Sequence, residues 1–341
     1  MERGLLRSER LTPGAHSQRK TTYELTGCTI CGGITSAQIA TREDLDEEMV
    51  RLWTFHSRRL RHPVPPKYLT DRLVFSQSPA LRLMQCADCS HLYRSPRENA
   101  ASVVRAYADA PLSESVYESL FENQCRSYAA QAGRLRRCSK HVESGLEVGS
   151  YMGGFLAAAA AEGMSFTGID VNDSTVSFGA RRGLRITTGS LEEVSASAEY
   201  DAIAIWNTFE QLPDVRSAAR ICRRLLRDGG VLAVRVPNAG FYSRWRRHLV
   251  GALAGIAERV LAHNNLLGFP YREGFTERSM SRLLDDAGFT IRRVYGDTLV
   301  PVADQWTKPI AAADERLTKT LQRIFQRGWG APWVETYAVA R

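Results

Sequence analysis

The chain has 341 residues, 44% of them hydrophobic and 24% charged, which allows a sizeable core without disulfide staples and excludes wholesale disorder. Its formal net charge of +8 is carried mostly by arginines scattered over helical patterns such as RRGLR (181–185) and RRLLR (223–227), so solvated faces explain it, and nucleic acid is a partner left open rather than required. Residues 1–20 lack the apolar core of a secretory leader and the longest apolar stretch, Leu249 to Ala257, is too short to span a bilayer, so a cytoplasmic protein without a membrane partner is expected.

Residues 1–22 read as a flexible polar tail, and residues 23–100 hold two cysteine pairs, CTIC (28–31) and CADC (86–89), around a charged, proline-containing insertion with helical character. The two-residue spacing lets both thiolates of a pair turn toward one tetrahedral ion. Cys28, Cys31, Cys86 and Cys89 would then close a four-thiolate shell with no place for water, a structural zinc site in a small ribbon domain. An odd total of seven cysteines in a reducing compartment also favours metal over disulfides. A redox CxxC is the alternative, but neither pair follows the strand of a βαβ unit. His91 reads as a packing or surface residue, and Cys125, Cys138 and Cys222 as small apolar residues on helical faces.

Residues 101–142 form a helical connector, with continuous helical spacing over 112–141 interrupted by Gly133. From residue 143 the texture becomes alternating strands and helices, an α/β signature. The expected strands are GLEVGS (145–150), SFTGID (165–170), LRITTG (184–189), YDAIAIWN (200–207) and GVLAVRV (230–236), with helices between them; Pro213 is placed in the first turn of the helix before the last of these. After Asn238 a basic amphipathic helix is expected around residues 245–261, then a loop, the helix TERSMSRLLDDAGF (276–289), a strand TIRRVYGDT (290–298), a helix near 316–327 and a terminal strand WVETYAVAR (333–341).

The loop LEVGSYMGG (146–154) joins the first strand to its helix but puts Tyr151 where a dinucleotide fingerprint needs a second glycine for close approach of the pyrophosphate. Glu147 adds an anion at the strand end, which repels a pyrophosphate and suits the ammonium of an amino acid. Asp170, closing the second strand, can accept from both ribose hydroxyls, and Ser190 and Leu191 after the third strand can border an adenine ring. These features together fit S-adenosylmethionine.

The ordered motifs LEVGSYMGG, TGIDVN, YDAIAIWNTFEQLPDV and LRDGGVLAVRVPN resemble those of class I S-adenosylmethionine-dependent methyltransferases over roughly residues 143–300 and again at the terminal strand. The resemblance implies a Rossmann-like seven-stranded sheet with helices on both faces over 143–341, carrying a substrate-cover insertion at about 239–275. It also implies cofactor contacts from Glu147, Gly149, Ser150, Tyr151, Gly153, Asp170, Val171, Ser190, Leu191, Asn207 and Thr208. Where the family often has Glu-His after the fourth strand this chain has Glu210 and Gln211, and glutamine cannot serve as a base. Glu210 either accepts a proton or braces the loop; His263 and Tyr271 are further candidates for the chemistry. Trp245, Asn264, Asn265, Phe269 and Tyr271 of the insertion, with Tyr117 and Phe121 of the connector, either shape an acceptor pocket or pack as core.

A zinc-ribbon front end, with HLYRSPRENAASVVRAY (91–107) after its second pair, is also similar to bacterial small-molecule methyltransferases, including sugar C-methyltransferases, which usually carry a further C-terminal domain. The expected function is methylation of an oxygen, nitrogen or carbon of a small molecule. An RNA methyltransferase and a non-catalytic cofactor-binding or assembly protein are the alternatives.

Overall fold

A computed structural model describes residues 23–61, 81–108, 114–139, 141–195, 198–269, 272–299 and 307–341. The expected tail at 1–22 and Tyr271 lie outside these residues.

Before the large sheet come short strands β1 (Tyr23–Glu24), β2 (Ser36–Ala40), β3 (Leu83–Cys86), β4 (Leu92–Arg94) and β5 (Arg97–Glu98), and helices α1 (Arg42–Arg59), α2 (Ala100–Ala108) and α3 (Glu114–Cys138). Thr41 starts α1 through a reciprocal pair of hydrogen bonds with Asp44, a capping box.

The large sheet then alternates β6 (Gly145–Val148), α4 (Gly154–Ala161), β7 (Phe166–Asp170), α5 (Asp173–Arg181), β8 (Ile186–Thr188), β9 (Tyr200–Trp206), α6 (Val215–Leu225) and β10 (Leu226–Pro237). Next come α7 (Ala239–Arg246), α8 (Ala254–Ala262), β11 (Glu273–Gly274), α9 (Glu277–Asp286), β12 (Phe289–Asp297), α10 (Pro309–Phe325) and β13 (Trp333–Ala340).

Seven strands pair in the order β8-β7-β6-β9-β10-β13-β12, parallel except at β13, which runs antiparallel to both neighbours. The order reverses between β6 and β9, and ligands of open α/β sheets bind at the carboxyl ends of strands flanking such a reversal. One face of the sheet packs on α3 and α4 through Leu135, Phe155, Phe166 and Trp206. The other packs on α6 and α9 through Val215, Cys222, Leu225, Met280 and Leu284.

Three local expectations are corrected. Pro213 stands outside α6, which Asp214 caps by accepting from the amides of Arg216 and Ser217. The single amphipathic helix at 245–261 is two helices, because the chain turns at Gly251 with φ +91°. The helix placed near 316–327 begins earlier, at Pro309, whose missing N–H costs nothing in a first turn.

The cysteine-bearing segment is not isolated. Its sheet, β2-β3-β4, gains β11 from the region after α8 as a fourth strand. Helix α1 shares a core with α7 and α8 through Leu45, Leu52, Tyr242 and Leu261. Buried Glu48 of α1 ties that core, accepting from Tyr242 Oη (3.0 Å), Arg246 Nε (2.7 Å) and the amide of Gly268 (2.8 Å).

Candidate functional site

The loop after β6 is held in a shape that glycine permits. Gly149 (φ +70°) and Gly153 (φ +86°) lie in the left-handed region, and a Cβ on Gly149 would fall 2.5 Å from Thr208 Oγ1. Its amides are already used: Gly149 N and Ser150 N donate to Ile169 O (2.9 and 3.0 Å), and Tyr151 N donates to Asp170 Oδ2 (2.8 Å). With Gly153 N donating to Ser150 O (2.8 Å), four of the loop's donors are spent within the loop and on β7.

Glu147 is buried, and its Oε2 has no hydrogen-bond partner. Burial first, and then the neighbouring Asp170 charge, push its carboxyl well above the ordinary range. Asp170 is raised as well, by burial, although it accepts from the amides of Tyr151 and Asn172 (3.0 Å). Two carboxyl groups thus meet at the ends of β6 and β7. Val171 follows Asp170, and Asn172 caps α5. Ser190 opens a turn in which its amide donates to Glu193 Oε2 (2.9 Å), and Leu191 is buried beneath.

Across the reversal point, Asn207 is left-handed (φ +57°), its amide donates to Arg235 O (3.0 Å), and its side-chain oxygen accepts from the Arg235 guanidinium. Thr208 lies against Gly149. Glu210 is buried with Oε2 unpartnered, and burial raises its pKa to about 7. Gln211 donates to Asn207 O (2.7 Å) and accepts from Tyr107 Oη. Tyr107 O accepts from Asn172 Nδ2 (2.8 Å), so α2 spans the cleft between the two halves of the site.

The loop, Asp170, Asn207, Thr208 and Glu210 therefore gather at one end of the sheet, with Ser190 and Leu191 at its β8 edge. A cavity of about 630 Å³ reaches Gly189 and Ser190 and runs beneath them over Leu146, Thr167 and Tyr200.

His263 does not join this group. It is buried at the end of α8 between Phe55 (ring centroids 4.9 Å apart) and Asp314 (3.3 Å). Burial and the nearby Arg59 hold its pKa down to about 3, so it is neutral. Tyr117 and Phe121 pack on Phe178. Phe269 packs on Tyr242, and Asn265 bonds His56 (2.9 Å). Tyr117 and Phe269 are buried, whereas Phe121 and Asn265 are half-buried.

Two participants went unread in the sequence. Arg235 is buried in β10, where its Nε donates to Asp297 Oδ2 (2.9 Å) and its guanidinium lies 4.5 Å from the Trp333 ring centre. A charge inside the apolar run GVLAVRV was its visible signal. Tyr107 had none, since its partner Gln211 is 104 residues away.

The four cysteines converge. Their sulfurs lie within 4.8 Å of one another, with Cys28–Cys89 at 3.4 Å and Cys31–Cys86 at 3.5 Å. Sulfurs about 2.3 Å from a tetrahedral zinc stand about 3.8 Å apart, so the set is close to such a shell and far from the roughly 2.05 Å of a disulfide. Beside it His91, fully buried rather than on the surface, bonds Glu273 Oε2 (2.8 Å), which also accepts from Thr29 (2.7 Å) while Glu273 Oε1 accepts from Arg97 (2.6 Å).

The family model described as a methyltransferase domain matches residues 121–294, just over half the chain. Among solved structures, an S-adenosylmethionine-dependent methyltransferase from Thermotoga maritima is similar at 15% identity and TM-score 0.44, covering 66% of this chain and 94% of that one. The plantazolicin methyltransferase BpumL, solved with S-adenosylhomocysteine, is similar at 12% identity and TM-score 0.43, covering 70% of this chain and 94% of that one. No curated protein sequence matches.

Proposed function

The chain belongs to the methyltransferase-domain family, and on that premise we propose that it moves a methyl group from S-adenosylmethionine to a small-molecule acceptor, with Cys28, Cys31, Cys86 and Cys89 holding a structural zinc. The observation that carries the reading is the orphaned, buried Glu147 carboxyl beside a loop in which the amides of Gly149, Ser150, Tyr151 and Gly153 are already bonded. That combination suits a ligand with an ammonium group rather than a phosphate.

When bound, the cofactor supplies a methyl group already activated on a cationic sulfonium. Glu147 neutralises the ammonium directly or through water, and Gly149, Ser150, Tyr151 and Gly153 give the methionine end room. Asp170 keeps lone pairs for ribose hydroxyls after serving Tyr151 and Asn172. Val171, Ser190 and Leu191 flank the adenine side. Asn207, fixed by Arg235 and Gln211, and Thr208 border the methyl-bearing end, and Tyr107 closes the cleft from α2. Alignment of donor and nucleophile can lower the barrier by roughly 7 to 11 kcal/mol. Glu210 is the group at this turn able to take the acceptor's proton near neutral pH.

Calorimetric titration with S-adenosylhomocysteine tests the cofactor half of the reading: Asp170→Ala should weaken binding at least about tenfold. Absence of heat with the unaltered protein would refute it. Label from methyl-tritiated S-adenosylmethionine should enter low-molecular-mass material of a cell extract, and entry into RNA alone would refute the acceptor class.

A further inference from the structure

Helix α10 is packed inside out. Toward the protein it buries Ala312, Glu315, Lys319 and Gln322. Lys319 Nζ donates to Glu315 Oε1 (2.6 Å), Arg59 also reaches Glu315, and Gln322 accepts from Asn264 (3.1 Å). Toward solvent it turns Ile310 (86% exposed), Leu317, Leu321, Ile324 and Phe325 (77%). Ile310, Leu317 and Ile324 are seven apart and share one stripe of the helix.

The apolar surface continues onto α8 and the turn before it. Val250 (85% exposed), Leu253 and Ile256 are bare, with exposed Gly251 and Ala252 between them. Arg259, one turn beyond Ile256, pairs with Asp314, one turn before Leu317, which sets the two faces side by side. Eight side chains at about 100 Å² each give on the order of 800 Å², more than the roughly 300–600 Å² of the largest patch on an ordinary monomer.

The border of this surface is basic. Arg316 and Arg323 are exposed on α10 and Arg327 just after it, and Arg244 and Arg247 precede the apolar turn; Lys308 before the helix donates to Arg58 O (2.9 Å), and Glu258 of α8 pairs with Arg51. The one acid on the outer side of α10, Asp314, is engaged by Arg59 and Arg259. A second copy packed antiparallel about Leu317 would bring the Arg316 and Arg323 flank against itself, which like charges oppose. A protruding apolar turn beside an apolar helix stripe with arginines at its edge suits an anionic lipid surface, which takes apolar side chains at the headgroup boundary and attracts cations. No helix of the described residues is long and apolar enough to cross a membrane, so this contact would be interfacial.

We propose that the face formed by α10 and residues 250–256 docks the protein on an anionic lipid surface. The inference is independent of the acceptor and of the cofactor. Co-sedimentation of the full-length protein with vesicles tests it, comparing phosphatidylcholine alone with phosphatidylcholine containing phosphatidylserine. The protein should bind the mixed vesicles at least about tenfold more tightly, with affinity falling as salt rises. Leu317→Glu with Ile324→Glu should reduce that binding about tenfold or more while S-adenosylhomocysteine still gives its titration heat. Arg316→Glu with Arg327→Glu should abolish the preference for the anionic vesicles. Failure of the unaltered protein to bind either vesicle, or binding that ignores Leu317→Glu, overturns the proposal. So does a concentration-dependent dimer that Leu317→Glu dissolves without any vesicle binding, which would assign the face to a second copy.

Discussion

The cysteine cluster and the cofactor loop are both assembled from groups that repel one another when charged, and the fold treats them differently. At the cluster, four thiol sulfurs are drawn within 4.8 Å and packed into the apolar core that runs from Ile30 through Tyr93 to Phe275 and Met280. Nothing there but a cation can hold four thiolates together, so the proposed zinc belongs to folding. At the loop, Glu147 and Asp170 share a neighbourhood, and burial, then the Asp170 charge, push the Glu147 carboxyl toward its neutral form. On the proposed reading, the charge that pairs with Glu147 arrives with the cofactor. A structural site and a binding site thus differ in whether the fold can stand the empty state.

The largest effect expected from this contrast is at the cluster. Cys28→Ser should strip the zinc and lower stability by about 3 kcal/mol or more. Because the cysteines share a core cluster with α6 and α9, the loss should lower the melting temperature of the sheet domain too. Metal analysis and thermal unfolding check this together; a variant with unchanged melting temperature and metal content would remove the structural role.

Glu147→Gln should do the opposite to stability while harming function. The folded carboxyl lies above its ordinary range, so the folded state keeps a proton that the unfolded chain releases. Its favourable share of stability is complete below the unfolded value of about 4 and is lost as pH rises toward the folded value. Glutamine removes that slope and should raise the ligand-free stability at neutral pH by about 1 kcal/mol, while S-adenosylhomocysteine affinity drops about tenfold or more. Denaturant melts at several pH values and calorimetry read the two changes. A variant that binds as well as the parent would detach Glu147 from the cofactor.

Much of this architecture was legible because local pattern and tertiary role agree. In YDAIAIW every residue from Ala202 to Trp206 is buried between two parallel neighbours, so an apolar run means a central strand. Gly149 and Gly153 of LEVGSYMGG mark a loop whose φ values favour glycine at those positions. What escaped was nonlocal. The pairing of β11 with β4 joins Glu273 to Tyr93 across the whole domain, and two-residue strands carry no periodicity. The buried face of α10 is polar because Arg59 and Asn264 meet it, and an amphipathic pattern by itself does not say which face turns inward. His263 was legible as a histidine and illegible as a buried one, since its burial comes from Phe55 on α1.

Glu210 offers the smallest test and the one that most sharpens the contrast between a brace and a working group. A brace would have both oxygens engaged, as Glu48 and Glu273 do, whereas Glu210 Oε2 is buried without a partner. Burial raises its pKa to about 7, with hydrogen bonds from its own backbone and from Gln211, and then Arg235, pulling the other way. The group is neutral below that pH and anionic above it, so its capacity to accept a proton grows through neutrality. Turnover should therefore rise through about pH 7 in the parent, and Glu210→Gln should flatten that rise and cost about tenfold at pH 8, with S-adenosylhomocysteine affinity unchanged. Loss of turnover by the same factor at every pH, together with a lowered melting temperature, would instead make Glu210 a support for the turn that carries Asn207 and Thr208.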